Sequence, residues 1–70
     1  TLSHQSLFFL GLNALQLRYN KLAMAFFDEA YKKAYYQMDK DKVLFWQFLV
    51  SKDEKYKDQT SSEKMFDFLE

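Results

Sequence analysis

The chain has little of the residue types that usually carry chemistry or form tight turns. Its 70 residues include no Cys, no Pro, one Gly and one His. The lack of Cys excludes disulfides, thiolate zinc sites, iron–sulfur clusters and a cysteine nucleophile. A single Gly leaves no glycine-rich loop for phosphate binding. The sequence therefore predicts no metal site and no cofactor.

Excess charge of either sign is also missing. Ten Lys and Arg residues balance ten Asp and Glu residues, so the formal net charge is zero at pH 7. This balance argues against binding to nucleic acid or to anionic membranes through bulk electrostatics. The apolar stretch 7–17 is interrupted by Asn13 and Gln16 and is shorter than the ~20 residues that span a bilayer. We expect no nucleic-acid partner and no transmembrane segment.

What is present is a chain that is 49% hydrophobic and 20% aromatic, with almost no turn-forming residues, which favours packed helices. Ser3 or Ser6 can cap a first helix. The apolar row of that helix steps by three and four residues and consists of Leu7, Leu10, Ala14 and Leu17. A second helix is predicted from an Asn20 cap to about Met38. Its core row is Ala23, Phe27, Ala30 and Ala34.

The second half of the chain is predicted to continue with helices. A charged connector at 39–42 precedes the stretch 43–50, in which only Gln47 is polar. That stretch has the composition of a buried strand, but no second strand-like run exists to pair with it, so we expect a helix. Ser51 and Glu54 have capping-box spacing and predict a short helix through Tyr56. Residues 1–56 are interpreted as one helical-hairpin module. Residues 57–70 are interpreted as a polar connector with a short terminal helix, the part of the chain most prone to flexibility.

The first two helices match the spacing of a tetratricopeptide-like hairpin, which is the unit of a helical solenoid. The key positions of that repeat are filled by Leu7, Leu10, Gly11, Ala14, Ala23, Phe27 and Ala30. Gly11 and Ala23 would let the two backbones approach. Two positions depart from the repeat, because Ala14 stands where a Tyr is common and Tyr35 stands where a Pro would close it. No second regular repeat follows. The sequence predicts an all-α fold made of antiparallel helical hairpins of a tetratricopeptide-like solenoid or superhelix.

The segment 41–56, DKVLFWQFLVSKDEKY, resembles part of the superhelical scaffold of soluble lytic transglycosylases. The resemblance rests on the cluster 44–46 (LFW), on Phe48 and Leu49, and on 51–56 (SKDEKY). It implies a ring of helical hairpins in a periplasmic enzyme that cleaves the glycan strands of peptidoglycan. In that family a separate lysozyme-like domain carries a catalytic Glu that is typically followed by Ser. No Glu precedes a Ser here, so the catalytic motif has no counterpart in this chain.

The remaining candidates for chemistry are few. The adjacent carboxylates Asp28–Glu29 and Asp53–Glu54 would point about 100° apart on a helix, so neither pair converges on one substrate atom. His4, beside two Ser residues near the N-terminus, is interpreted as a surface histidine near a helix cap. We predict no catalytic residues. A mixed aromatic and basic cluster is a candidate for glycan or partner contact, or for residues that pack where hairpins meet: Tyr31, Tyr35, Tyr36, Lys32 and Lys33.

Taken together, these features predict a non-catalytic helical scaffold. The resemblance implies that this scaffold belongs to a periplasmic lytic transglycosylase. Its partners would be neighbouring hairpins of the same parent chain and peptidoglycan. The alternative is a tetratricopeptide-like adaptor that binds a peptide or a helix of another protein. Because both functions use one fold, the fold alone does not separate them.

Overall fold

The computed structural model describes residues 2–60, which form four helices in a row. They are α1 (His4–Gln16), α2 (Asn20–Lys33), α3 (Gln37–Ser51) and α4 (Glu54–Gln59). Each helix packs against the next one along the chain. Residues 2–60 contain no strand, which confirms the all-α prediction and the helical interpretation of 43–50. The solenoid arrangement stays a prediction, and the terminal helix predicted within 57–70 lies largely outside the described residues.

Local hydrogen bonds set both ends of α1. The Ser3 hydroxyl oxygen accepts a hydrogen bond from the Ser6 backbone N–H, so Ser3 is the cap. After α1, Arg18 adopts a left-handed conformation with φ of 65°. The N–H of Arg18 bonds to the Leu15 carbonyl and that of Tyr19 to the Ala14 carbonyl, which is the Schellman pattern. The chain can therefore reverse between α1 and α2 without Gly or Pro.

The contact between α1 and α2 is centred on Gly11 and Phe27. A Cβ atom placed on Gly11 would lie 2.5 Å from Cε1 and 2.7 Å from Cδ1 of the Phe27 ring. The ring has no room to retreat, because Phe27 is fully buried in a core that also includes Leu7 and Ala23. Gly11 therefore allows the close approach of the two helices that its position predicts.

The boundary between α2 and α3 differs from the prediction. α2 ends at Lys33 rather than near Met38, and the connector is 34–36 rather than 39–42. Ala34 is buried, but its backbone is extended. The residues expected in the charged connector instead form the first turns of α3. There the Asp39 carboxylate lies near the positive end of the helix dipole, which favours starting a helix at this point.

The start of α4 also differs in detail. A short helix does follow α3, but Asp53 caps it, with a carboxylate oxygen that accepts from the Lys55 N–H. Ser51 is the last residue of α3, and its hydroxyl donates to the Gln47 carbonyl. Lys52 ends α3 in a left-handed conformation. The expected boundary between 56 and 57 falls inside α4.

A polar contact joins α2 to α3. Gln47 is buried, and its side-chain amide donates a 2.6 Å hydrogen bond to the Asp28 carboxylate. Glu29 pairs with Lys32 at 3.5 Å. Asp28 and Lys32, and Glu29 and Lys33, stand four residues apart on α2, but in the structure each of these side chains has a different partner. Asp28 instead accepts a hydrogen bond from the next helix, which fixes the register of α3 on α2.

Candidate functional site

Three surfaces of the described residues have features of a binding site, and the first is the connector patch formed by Tyr35, Tyr36 and Met38. The rings of the two tyrosines meet edge to face, with their centroids 5.2 Å apart. Tyr35 is 84% exposed, Tyr36 67% and Met38 76%. This patch brings together two of the five residues predicted for glycan or partner contact, and adds Met38, which the sequence analysis did not single out.

The other three predicted contact residues have separate surroundings. Tyr31 is half-buried against the core, with the Lys40 ammonium 5.8 Å from the centre of its ring. Lys32 pairs with Glu29, and the Lys33 ammonium donates a 3.0 Å hydrogen bond to the Leu2 carbonyl. Both lysines therefore have partners within the described residues.

The second surface, called the open groove below, is the seam between α1 and α2 on the side of the hairpin away from α3. His4 and Phe8 of α1, and Asp28 and Tyr31 of α2, contact α3 and so mark the side that it occupies. Successive helix residues are about 100° apart. The opposite side of the two helices is therefore lined by Leu10, Leu17, Leu22 and Phe26.

This open groove, defined by Leu10, Leu17, Leu22 and Phe26, is apolar and largely uncovered. Leu17 is 65% exposed and Leu22 48%, whereas Phe26 packs partly against the core. By their spacing, Leu10 and Leu17 share one apolar row of α1 with Leu7 and Ala14. The structure buries the latter two and leaves Leu10 and Leu17 at the edge. Grouped, exposed apolar residues of this kind commonly mark an interface.

The third surface is a cavity of about 120 Å³ between the first half of α1 and the first turns of α3. Its walls are formed by His4, Gln5, Phe8, Phe9, Asp39, Lys42 and Val43. His4 Nε2 lies 3.3 Å from Asp39 Oδ2, and both side chains are about three-quarters buried. His4 therefore bridges two helices rather than standing alone at a cap. Sequence reasoning missed this pair because it assigned Asp39 to a connector.

The described residues show no arrangement typical of a metal site. Within residues 2–60, no three side chains of His, Cys, Asp or Glu come close enough together to hold a metal ion. None of the helices in that range has the length and apolar character needed to cross a bilayer. Comparisons with family models, with curated proteins and with solved structures gave no match.

Proposed function

We propose that this chain is a non-catalytic helical scaffold segment, in which the open groove packs against a neighbouring hairpin of the same parent chain. The observation that supports it is the difference between the two sides of the α1–α2 hairpin. α3 packs on one side, and the other side, the open groove, presents Leu10, Leu17 and Leu22 to solvent. In a tetratricopeptide-like solenoid each hairpin is covered by neighbours on both sides, because one repeat cannot bury its apolar surface alone.

The proposed parent is a periplasmic soluble lytic transglycosylase, in which this segment would help to shape a ring that positions peptidoglycan. The support is the resemblance of segment 41–56, which covers most of α3 and the start of α4. In this proposal a separate lysozyme-like domain supplies the catalytic Glu. The test is the reading frame that encodes the chain. A downstream lysozyme-like segment with Glu-Ser, and glycan-strand cleavage by the purified product, are the expected results.

The second candidate function is a tetratricopeptide-like adaptor, which the connector patch favours. Tyr35 and Tyr36 expose two rings, and exposed aromatic residues are enriched among the residues that dominate protein interfaces. Regular 34-residue repeats in the encoding frame, without a lysozyme-like segment, would support the adaptor over the transglycosylase scaffold.

Self-association of the 70-residue chain tests the scaffold proposal directly. We expect the chain to form oligomers in sedimentation equilibrium at micromolar concentration, because a second copy can cover the open groove. The double substitution Leu17→Glu/Leu22→Glu should shift the population to monomer, since it places charge in the apolar groove. Circular dichroism should show unchanged helix content, because both leucines are substantially exposed.

A matched control separates the groove from a general effect of charge. Gln16→Glu/Lys21→Gln alters the exposed neighbours of the same two leucines and changes the net charge by the same −2. This variant should associate like the unmodified chain. The proposal is contradicted if the unmodified chain is itself monomeric at every concentration and unfolds in one sharp thermal transition.

A further inference from the structure

The cavity between α1 and α3 has the dimensions and walls of a site for one aromatic ring. Phe8, Phe9 and Val43 supply apolar walls, and the two phenylalanine rings are tilted by 60° with centroids 6.4 Å apart. The cavity volume is about 120 Å³. Apolar cavities of roughly 150 Å³ are known to bind benzene. This cavity is somewhat smaller, so it takes at most one ring, and the rest of a ligand would extend into solvent.

One cation beside the cavity, the Lys42 ammonium, has no carboxylate partner among the described residues. The Asp39 carboxylate is engaged by His4. The Lys42 ammonium lies 6.0 Å from the centre of the Phe8 ring, and no carboxylate of residues 2–60 lies within 4.0 Å of it. The cavity is also next to the first turn of α1, where the backbone N–H groups carry partial positive charge. These charges favour a ligand with a negative group beside its ring.

We propose that this cavity binds an aromatic carboxylate. The ring lies against Phe8, Phe9 and Val43, and the carboxylate pairs with the Lys42 ammonium. This chemistry has two sources, a free aromatic acid and the C-terminal phenylalanine of a peptide. The site is independent of the open groove, so it can be tested whether or not the scaffold proposal is correct.

The test is a titration of the ¹⁵N-labelled 70-residue chain, followed by heteronuclear NMR, with 3-phenylpropionate as the probe. We expect saturable shifts confined to residues 4–9 and 39–43. Phenethylamine has the same ring with the opposite charge, and butyrate has the acid without the ring. Both should bind about tenfold more weakly or worse, because each lacks one of the two interactions. Absence of saturable shifts, or equal binding of the amine, would overturn the proposal.

Two substitutions test the assigned contacts. Lys42→Gln should weaken binding of the acid by about fivefold, near the upper range for one exposed ion pair. Lys40→Gln is the matched control, since it removes the same charge from the same helix at a lysine that lies over Tyr31. Phe9→Ala should also weaken binding, and the fold should tolerate it because Phe9 is largely exposed. Equal loss with both lysine variants would refute a specific role of Lys42.

A second probe, the peptide acetyl-Gly-Gly-Phe with a free C-terminal carboxylate, distinguishes a free aromatic acid from a peptide C-terminus as the ligand of this site. Tighter binding of the peptide than of 3-phenylpropionate would assign the site to peptide C-termini. Weaker binding would assign it to free aromatic acids. Binding of the C-terminal amide form as tightly as the free acid would contradict the pairing with Lys42.

Discussion

At the scale of single residues, Gly11 is the position with the least tolerance for change. Gly normally lowers helix stability by about 1 kcal/mol relative to Ala, so a mid-helix Gly needs a compensating reason. Here the reason is the Phe27 ring, which occupies the space where a Cβ would lie. The sequence could predict this contact, because Gly11 and Phe27 fall at repeat positions whose spacing brings two helices together.

Replacing Gly11 by Leu should destabilise the chain by at least about 1–3 kcal/mol, because overpacking outweighs the gain in helix propensity. Urea unfolding followed by circular dichroism measures this change. In a Phe27→Leu background, the added cost of Gly11→Ala should be smaller than in the unmodified chain, since the obstructing ring is gone. A neutral or stabilising Gly11→Leu would argue against the close approach of α1 and α2.

At the scale of helices, α1 and α3 could be predicted and the α2–α3 boundary could not. The start of α1 has a local signal in Ser3, and the residues of 43–50 had no partner strand. The break at 34–36 has no Gly or Pro, and Ala34 continues the apolar row of α2 although it lies outside the helix. Packing of Val43 and Gln47 on α2 sets this boundary, and packing of that kind is not visible in local sequence.

The contact between α2 and α3 gives a prediction at the same scale. Asp28→Ala should destabilise the chain by about 1–3 kcal/mol, because it leaves the buried Gln47 amide without its acceptor. Glu29→Ala, next along the helix, removes only an exposed ion pair and should change stability by less than about 1 kcal/mol. Chemical denaturation of both variants measures the difference. Equal effects would show that the Gln47–Asp28 bond does not fix the register of α3.

At the scale of the whole molecule, the candidate surfaces depend on how helices combine, which limits prediction from sequence. Tyr35 and Tyr36 could be selected because they are adjacent aromatics. The His4–Asp39 pair joins positions 35 residues apart, so only the fold brings it together. Predicting the open groove also requires the position of α3. Leu17 is exposed and Leu7 is buried, but their places in the sequence pattern look alike until the side that α3 covers is known.

The measurement that tests the scaffold proposal most directly is thiol labelling at the open groove within the longer polypeptide that the proposal requires. The 70 residues have no Cys, so a single introduced one reports on its own position within this segment. We predict that Leu22→Cys reacts at least about tenfold more slowly in the longer polypeptide than in the 70-residue chain diluted until it is monomeric, because a neighbouring hairpin covers it only in the longer form. Lys21→Cys, one residue away and exposed, should react equally in both. Equal rates for Leu22→Cys in the two forms would contradict the account.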